Sequence, residues 1–463
     1  MSGFFVSFSV GIRQAYAAVP SAATGPRSGE ISRVQEGRTI DTSPHVRPAS
    51  YVTAEIPGVG GRIKETPDDF LVEEIPLYAP SGEGEHVYMM VEKRAMTAME
   101  LFDLIARHFG VSRSVVGYAG LKDKQAVTRQ VVSVHLPRRR DEDIPPLEHD
   151  RVRVLWADRH NNKLKRGHLA GNRFSIKIRG VDIGRTPTVL RAVRMLEQVG
   201  VPDRIGAQRF GYLGNNHLIG LALLRRDAHA AIDAMLGPSE SFPDAQREAR
   251  ALYAEGKFSE ARDAMPRSLR TEWAVLDALA CGEHPEEAIG AVQPDVLGFY
   301  ISAFQSAVFN AVLDRRVVEG TLGVLREGDL AVDPKGRKPI EIDDVALADE
   351  SIAERHRRFE LSASGPMWGA LMRRASGETG RVEAETLASF GISPGDLPDP
   401  NELGIPMSGG TRRPLRVALT NSSVEAGSDE RGPYIRCAFD LPRGGFATTV
   451  LDEIMKPGGN STR

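Results

Sequence analysis

The sequence is poor in residues that cross-link chains or hold cofactors. Two cysteines, Cys281 and Cys437, occur in 463 residues, and neither stands in a C-x-x-C or C-x-x-H spacing. That argues against a disulfide framework and a structural zinc, and for a reducing, cytoplasmic setting. The eleven histidines are scattered without H-E-x-x-H or other metal-ligand spacing. No G-x-G-x-x-G links a strand to a helix, and "GVGGRIK" has the wrong spacing before Lys64 for a phosphate-cradling loop. A G-x-S-x-G elbow is missing too. No run of eighteen apolar residues exists, so no membrane-spanning helix is expected. Any chemistry must therefore rest on ordinary side chains, with no metal and no cofactor.

An excess of one charge sign is also lacking, since 59 basic and 62 acidic residues leave a net charge of -3. The distribution is more informative. Residues 153–179 carry eight Lys/Arg and one acid, Asp158, whereas 340–354 carries six acids and no base. This predicts a cationic face able to attract phosphates; a merely solvated charge run is the alternative. At this length two domains are expected.

Residues 1–50 look unlike the rest. A short apolar stretch and "AYAAV" weakly resemble a secretory cleavage site, but Arg13 interrupts them, and the Ser/Arg-rich start has only a faint transit-peptide character. A disordered extension is the preferred reading, with the folded part beginning near Tyr51.

From there the pattern predicts strands mixed with a few helices, an α+β fold. "GRIKETPDDFLVEEIPLY" reads as a short strand, a Pro-Asp-Asp turn and a second strand over Phe70 to Ile75. "HVYMMVEKR", "VVSVHL" and "NRFSIKIRG" read as further strands, the last with Phe174, Ile176 and Ile178 on one face. Thr97 and Glu100 form a capping box for a helix closed by Gly110. Thr186 is read as the cap of a second helix, with Pro187 at its first position and Gly200 as its stop. Between about Gln208 and Gly410 the signal is helical in "LIGLALLRRDAHAAIDAML", "DAQREARALYAEG" and "FYISAFQSAVFNAVLDRR", and looks irregular from Val324 to Leu403. Strand-like "YIRCAF" and a helical "FATTVLDEIM" then return, which suggests a strand-rich domain interrupted by a helical one.

One stretch carries the candidate chemistry. In "GYAGLKDKQAVTRQ", Gly117 to Gln130, a lone carboxylate, Asp123, stands between Lys122 and Lys124 in a turn. Cations on both sides favour a charged carboxylate, fit to act as nucleophile or base. A solvent-facing turn aspartate with an ordinary salt bridge is the plainer alternative. Its company shifts the balance. "HNNKLKRGHLAGNRF" gathers Lys163, Lys165, Arg166, the amide Asn172 and the aromatic Phe174, as a stacking and phosphate-gripping element requires. "GAQRFG" adds Arg209 between glycines. Phe174 sits on an alternating face and could instead be core.

These blocks resemble the TruD family of tRNA pseudouridine synthases, from about Gly60 to Met455. The family pattern A/G-G-x-K-D-x-x-A-V/T-T-x-Q stands here as "AGLKDKQAVTRQ", and K-x-x-P-E-D-F-x-V-x-E as "KETPDDFLVEE". "SGEGEH", "KLKRGHLAGNRF", "GAQRFG", "SAFQSAVFN" and "LPRGGFATTVLDE" fit further blocks. One departure is "DRIG", Asp203 to Gly206, where the family usually has N-Y-F-G.

The resemblance implies a pseudouridine synthase core with a mixed, mainly antiparallel sheet over 51–207 and 411–458, interrupted by a mostly helical insertion over 208–410. It implies isomerisation of uridine in tRNA, at uridine 13 of the D arm, by a monomer needing no cofactor. Asp123 would be the nucleophile, Lys64 its basic partner, and Phe70, Asn172 and Phe174 the walls of the uracil pocket, after the base is flipped out. Lys163, Lys165, Arg166 and Arg209 would grip RNA. The same chemistry on another RNA, or a non-catalytic RNA-binding protein that kept the architecture, are the competing readings.

Overall fold

The structure is a computed structural model describing residues 48–456 apart from 138, 140, 141, 143–145, 238–243 and 334–337. The disordered extension expected over 1–50 falls, up to residue 47, outside the described residues. Two compact units divide the chain. A sheet unit holds Tyr51–Asp203 and the chain from Arg416, and a helical unit holds Arg204–Leu415 with the described residues before Tyr51.

In the sheet unit, β1 (Phe70–Pro76), β2 (His86–Arg94), β3 (Val116–Tyr118), β4 (Val127–His135), β5 (Val152–His160) and β6 (Leu169–Arg179) follow one another, and β7 (Val201–Pro202) ends its first part. The helical unit contains β8 (Leu330–Val332), β9 (Ile340–Glu341), β10 (Ser362–Met367) and β11 (Thr411–Pro414). The chain then returns through β12 (Arg416–Val417), β13 (Thr420–Asp429) and β14 (Gly432–Pro442) to the helix Ala447–Met455. The main sheet runs β13-β14-β6-β1-β4-β2-β5, with β3 beside β4. Only β1 and β4 pair in parallel; their neighbours pair antiparallel.

The helix Ala98–Phe109 forms where its caps direct. Thr97 Oγ1 accepts from Glu100 N at 3.1 Å while Glu100 Oε2 accepts from Thr97 N at 2.7 Å. Gly110 closes it in the left-handed region at φ 65, which glycine adopts without steric cost. Its buried stripe, Leu101, Phe102, Ile105 and Phe109, packs on Val87, Met89 and Val91 of β2 and Val132 and Val134 of β4. A second cluster joins Phe70, Val72, Phe174, Ile176, Ile178, Cys437 and Phe439 to apolar residues of the helices Thr186–Val199 and Ala447–Met455. Opposed residues of paired strands point to the same side. Through Val72↔Thr128 and Lys93↔Thr128 both clusters lie on one face of the sheet.

Three local expectations need correcting. The strand before the Pro-Asp-Asp turn shrinks to a single bridge, Arg62↔Arg179. Thr186 is the first helical residue rather than the cap, because the turn Ile183–Arg185 runs directly into the helix and Thr186 Oγ1 donates to Ile183 O at 2.6 Å. Residues 324–403 are not irregular. They contain β8 to β10 and the helices Asp344–Ala348, Glu350–Arg357 and Gly377–Ser389. The acids that looked like loop composition are partly helix caps: Asp343 accepts from Ala346 N, and Asp349 from Ser351 N, each at 2.8 Å.

"LIGLALLRRDAHAAIDAML" breaks into Asn216–Leu224 and Ala228–Leu236 at Arg226, which has φ 56, with Asp227 capping the second helix. The helix Pro294–Val318 is long and apolar enough to cross a membrane, yet 72% of its most apolar window is buried. It is a core helix of the helical unit, with Leu297, Ile301, Phe304 and Val308 inside the main cluster there. Both cysteines are free.

Candidate active site

Between the two apolar clusters the shared sheet face becomes polar. Glu74 of β1, Lys93 of β2, and Thr128 and Gln130 of β4 are all buried there. Two loops converge on this seam.

The first is the turn before β1. Thr66 and Asp69 close a capping box around Pro67–Asp69, and Asp69, fully buried, accepts from Arg179 Nε at 2.9 Å and Nη2 at 2.7 Å. Burial opposes ionisation of Asp69, but the Arg179 fork and the Thr66 backbone hold its carboxyl below the ordinary value. Asp429 joins the same guanidinium from β13 at 2.7 Å, and Arg94 grips Asp68. The turn is thus fixed from three strands. Just ahead of it Lys64 adopts φ 59, a left-handed conformation that costs a side-chain-bearing residue about 1–2 kcal/mol. Such an outlier persists where the surroundings impose it.

The second loop joins β3 to β4 and carries Asp123. Its carboxylate, 47% exposed, accepts from Lys64 Nζ at 2.7 Å. The same ammonium lies 4.3 Å from the centre of the Phe70 ring, so one cation joins the carboxylate to an aromatic wall. Lys122, which flanks Asp123 in the sequence, turns inward. Its ammonium meets Glu74 at 2.9 Å, with both side chains almost wholly buried, and donates to Asn172 Oδ1 at 2.9 Å. Burial raises the Glu74 carboxyl against the pull of Lys122.

Lys93 was not singled out from the sequence. It is 0% exposed, and its ammonium donates to Met96 O at 2.7 Å and to the backbone carbonyl of Asp123 at 2.8 Å. Burial lowers it to about 8. The signal was present: Val87, Met89, Val91 and Lys93 share one strand parity, and the fourth breaks an apolar series without a turn residue to excuse it.

Phe174 departs from the exposed stacking platform its sequence context suggested. It is 7% exposed, edge-on to Phe70 at 6.4 Å and tilted on Phe439 at 5.6 Å. The alternation of β6 places it with Ile176 and Ile178 against the helices, so it is a buried wall whose use by a ligand needs local movement. Phe70 is buried likewise.

The basic segment lies against the start of the Asp123 loop, with Gly167 N donating to Ala119 O at 2.8 Å. Lys163 donates to Ser114 O, and Arg166 donates to the Tyr118 hydroxyl at 2.9 Å and lies over that ring. Lys165 is exposed. Three further cations of the run are neutralised: Arg173 pairs with Asp440, Lys177 with Asp429, and Arg179 with Asp69 and Asp429. The phosphate-gripping face is therefore narrower than the charge count suggested. Arg443, also unforeseen, donates to Gly167 O at 2.9 Å.

Arg209 belongs to the helical unit, where it lies over Phe299 at 5.1 Å, donates to Ser302 Oγ at 3.1 Å, and is lowered by burial. In "DRIG", Arg204 pairs with Asp314, and Ile205 exchanges two bonds of 3.0 Å with the Asn310 amide. This departure from the family pattern is thus built into the packing of its unit. Among the described residues no group of His, Cys, Asp and Glu could hold a metal ion.

A family model described as tRNA pseudouridine synthase D (TruD) matches residues 48–454. The chain belongs to the TruD family. Its relatives include a tRNA pseudouridine synthase D from Geobacter metallireducens, 43% identical over 412 residues, which are 88% of this chain and 98% of the relative. Another, from Syntrophotalea carbinolica, is 40% identical over 409 residues, covering 88% and 99%. A crystal structure assigned as TruD from Methanosarcina mazei superposes with a TM-score of 0.79 at 26% identity, covering 90% of this chain and 98% of that one. The α+β class with a mixed sheet and a largely helical second unit is thus the TruD architecture. Two TruD motifs distant in sequence, "KETPDDF" and "AGLKDKQAVTRQ", meet in the Lys64–Asp123 bond.

Proposed function

We propose that this chain isomerises uridine to pseudouridine in tRNA, at uridine 13 of the D arm, with Asp123 as the reacting carboxylate. The observation that carries the reading is the pair of Asp123 and Lys64 at 2.7 Å, open to solvent on one side and backed by Phe70 on the other. The relatives named above are tRNA pseudouridine synthases, and all the elements of the pair lie within the matched region.

The isomerisation breaks the bond from C1' to N1, turns the uracil, and joins C1' to C5. N1 gains a proton and C5 loses one, so atoms and electrons balance without an oxidant, a metal or water. The uracil must first leave the helix stack, at a cost of a few kcal/mol. Asp123 then acts either by attack on the sugar or base, or by taking a sugar proton to give a glycal. Lys64 holds the carboxylate in place, Phe70 and Phe174 wall the pocket, and Asn172 fixes Lys122 beside it. Asp123 is also the nearest base for the C5 proton. Lys163, Lys165 and Arg166 hold phosphates beside the loop, and Arg209 is read as an RNA contact of the helical unit by itself. The sheet unit is the catalytic domain in this reading and the helical unit the family's insertion.

Asp123→Asn keeps the shape and removes the reacting group. Pseudouridine formation, followed by release of tritium from tRNA labelled at uracil C5, is expected to vanish while tRNA binding stays within about twofold. Measurable turnover by this variant would refute the role of Asp123. Mapping pseudouridine in RNA from cells with and without the protein decides the target position.

A further inference from the structure

We propose that Lys93 is a positioning residue for the reaction: its buried ammonium clamps the backbone carbonyl of Asp123 and so aims the carboxylate at the substrate. This rests on the reading of Asp123 as the reacting group.

The argument starts from what a buried lysine requires. An ammonium taken out of water loses several kcal/mol of solvation, and proteins usually recover it with a buried carboxylate. Among the described residues Lys93 has no such partner within ion-pair distance. Its two bonds, of 2.7 and 2.8 Å, go to main-chain carbonyls. The charged groups that act on it are Asp123 and Lys122 from the loop and Glu100 from the helix Ala98–Phe109. A purely structural role would be met more cheaply by the apolar residue that the parity of β2 calls for, as at Val87, Met89 and Val91.

The placement explains the exception. Asp123 lies in a loop without regular structure between β3 and β4, and among the described residues its carboxylate is held through the flexible ammonium of Lys64. Two interior contacts fix the main chain beneath it. Lys122 is drawn into the seam by Glu74, and Lys93 grips the carbonyl of Asp123 itself. Because Lys93 stands at the end of β2, in register with Thr128 of β4, it transmits the rigidity of the sheet to the residue that must meet C1' or C2' within bonding distance. Displacement of a reacting group by about 1 Å costs on the order of 100-fold in rate.

The test compares wild type, Lys93→Met and Asp123→Asn by tritium release from tRNA labelled at uracil C5, with melting followed in parallel. Lys93→Met is expected to lower kcat about 10- to 100-fold while KM for tRNA stays within about twofold, since Lys93 touches no RNA. A kcat equal to that of wild type in folded Lys93→Met, with Asp123→Asn inactive, overturns the positioning role and leaves the reading of Asp123 intact. Turnover by Asp123→Asn instead removes the premise. Should Lys93→Met fail to fold, the kcat profile of wild type decides. A fall as the pH passes about 8, where Lys93 loses its charge, supports the proposal, and a flat profile from about pH 6.5 to about pH 9 overturns it.

Discussion

Two buried carboxylates on the same sheet unit are treated in opposite ways. Asp69, in the turn before β1, accepts a two-toothed guanidinium and a backbone amide, and its carboxyl is held below the ordinary range. Glu74, five residues on within β1, meets one ammonium and a backbone N–H at 3.3 Å, and its carboxyl is raised. Thr128 Oγ1 and both Gln130 amide atoms, buried beside Glu74, have no hydrogen-bond partner among the described residues. The first region is a fully satisfied anchor. The second is a polar seam whose groups are only partly satisfied, and protein interiors tolerate such groups chiefly where function retains them. Stability and function are thus divided between a turn and the strand that follows it.

Removing the cation from each carboxylate tests that division. Arg179→Met leaves Asp69 as an uncompensated buried charge and is expected to cost about 3–5 kcal/mol of unfolding free energy, read from urea denaturation. A loss below about 1 kcal/mol would erase the distinction.

Lys122→Met should cost less, about 1–3 kcal/mol, because Glu74 can take up a proton. The pH dependence carries the sign. A carboxyl whose folded value lies above the ordinary 4.5 binds more protons folded than unfolded, so its contribution to stability is present at low pH and is lost as the pH rises through 4.5 toward the folded value. Without Lys122 the folded value climbs further. The cost of Lys122→Met should therefore be small near pH 4 and grow toward neutrality; equal costs at both would mean that Glu74 stays charged regardless.

The smallest effect belongs to Lys64. Lys64→Gly relieves the left-handed backbone at φ 59 but loosens the unfolded chain, so stability should move by less than about 1 kcal/mol. Turnover should fall all the same, which separates this residue from Arg179.

Much of this was legible in the sequence, for identifiable reasons. The helix Ala98–Phe109 declares itself through its capping box and glycine stop, and β1, β2, β4 and β6 through alternation. The family is legible because its motifs are dense and in order. Burial was harder to read. Phe174 looked like an exposed platform because it follows cations and an amide, yet strand parity commits it to the core. The inward turn of Lys122 could not be read because its partner, Glu74, lies 48 positions earlier in the chain. Long-range pairing of this kind leaves no local trace, and the same holds for Arg173 and Asp440, separated by 267 positions. Lys93 was overlooked for the opposite reason: a lysine at a strand end reads as ordinary surface.

The final strand β14 completes the sheet against β6, and Thr53 binds Glu453 across 400 positions. The sheet unit thus closes only when the segments around Asp440 and Glu453 meet those around Arg173 and Thr53. Contacts of such high sequence separation make that closing step slow.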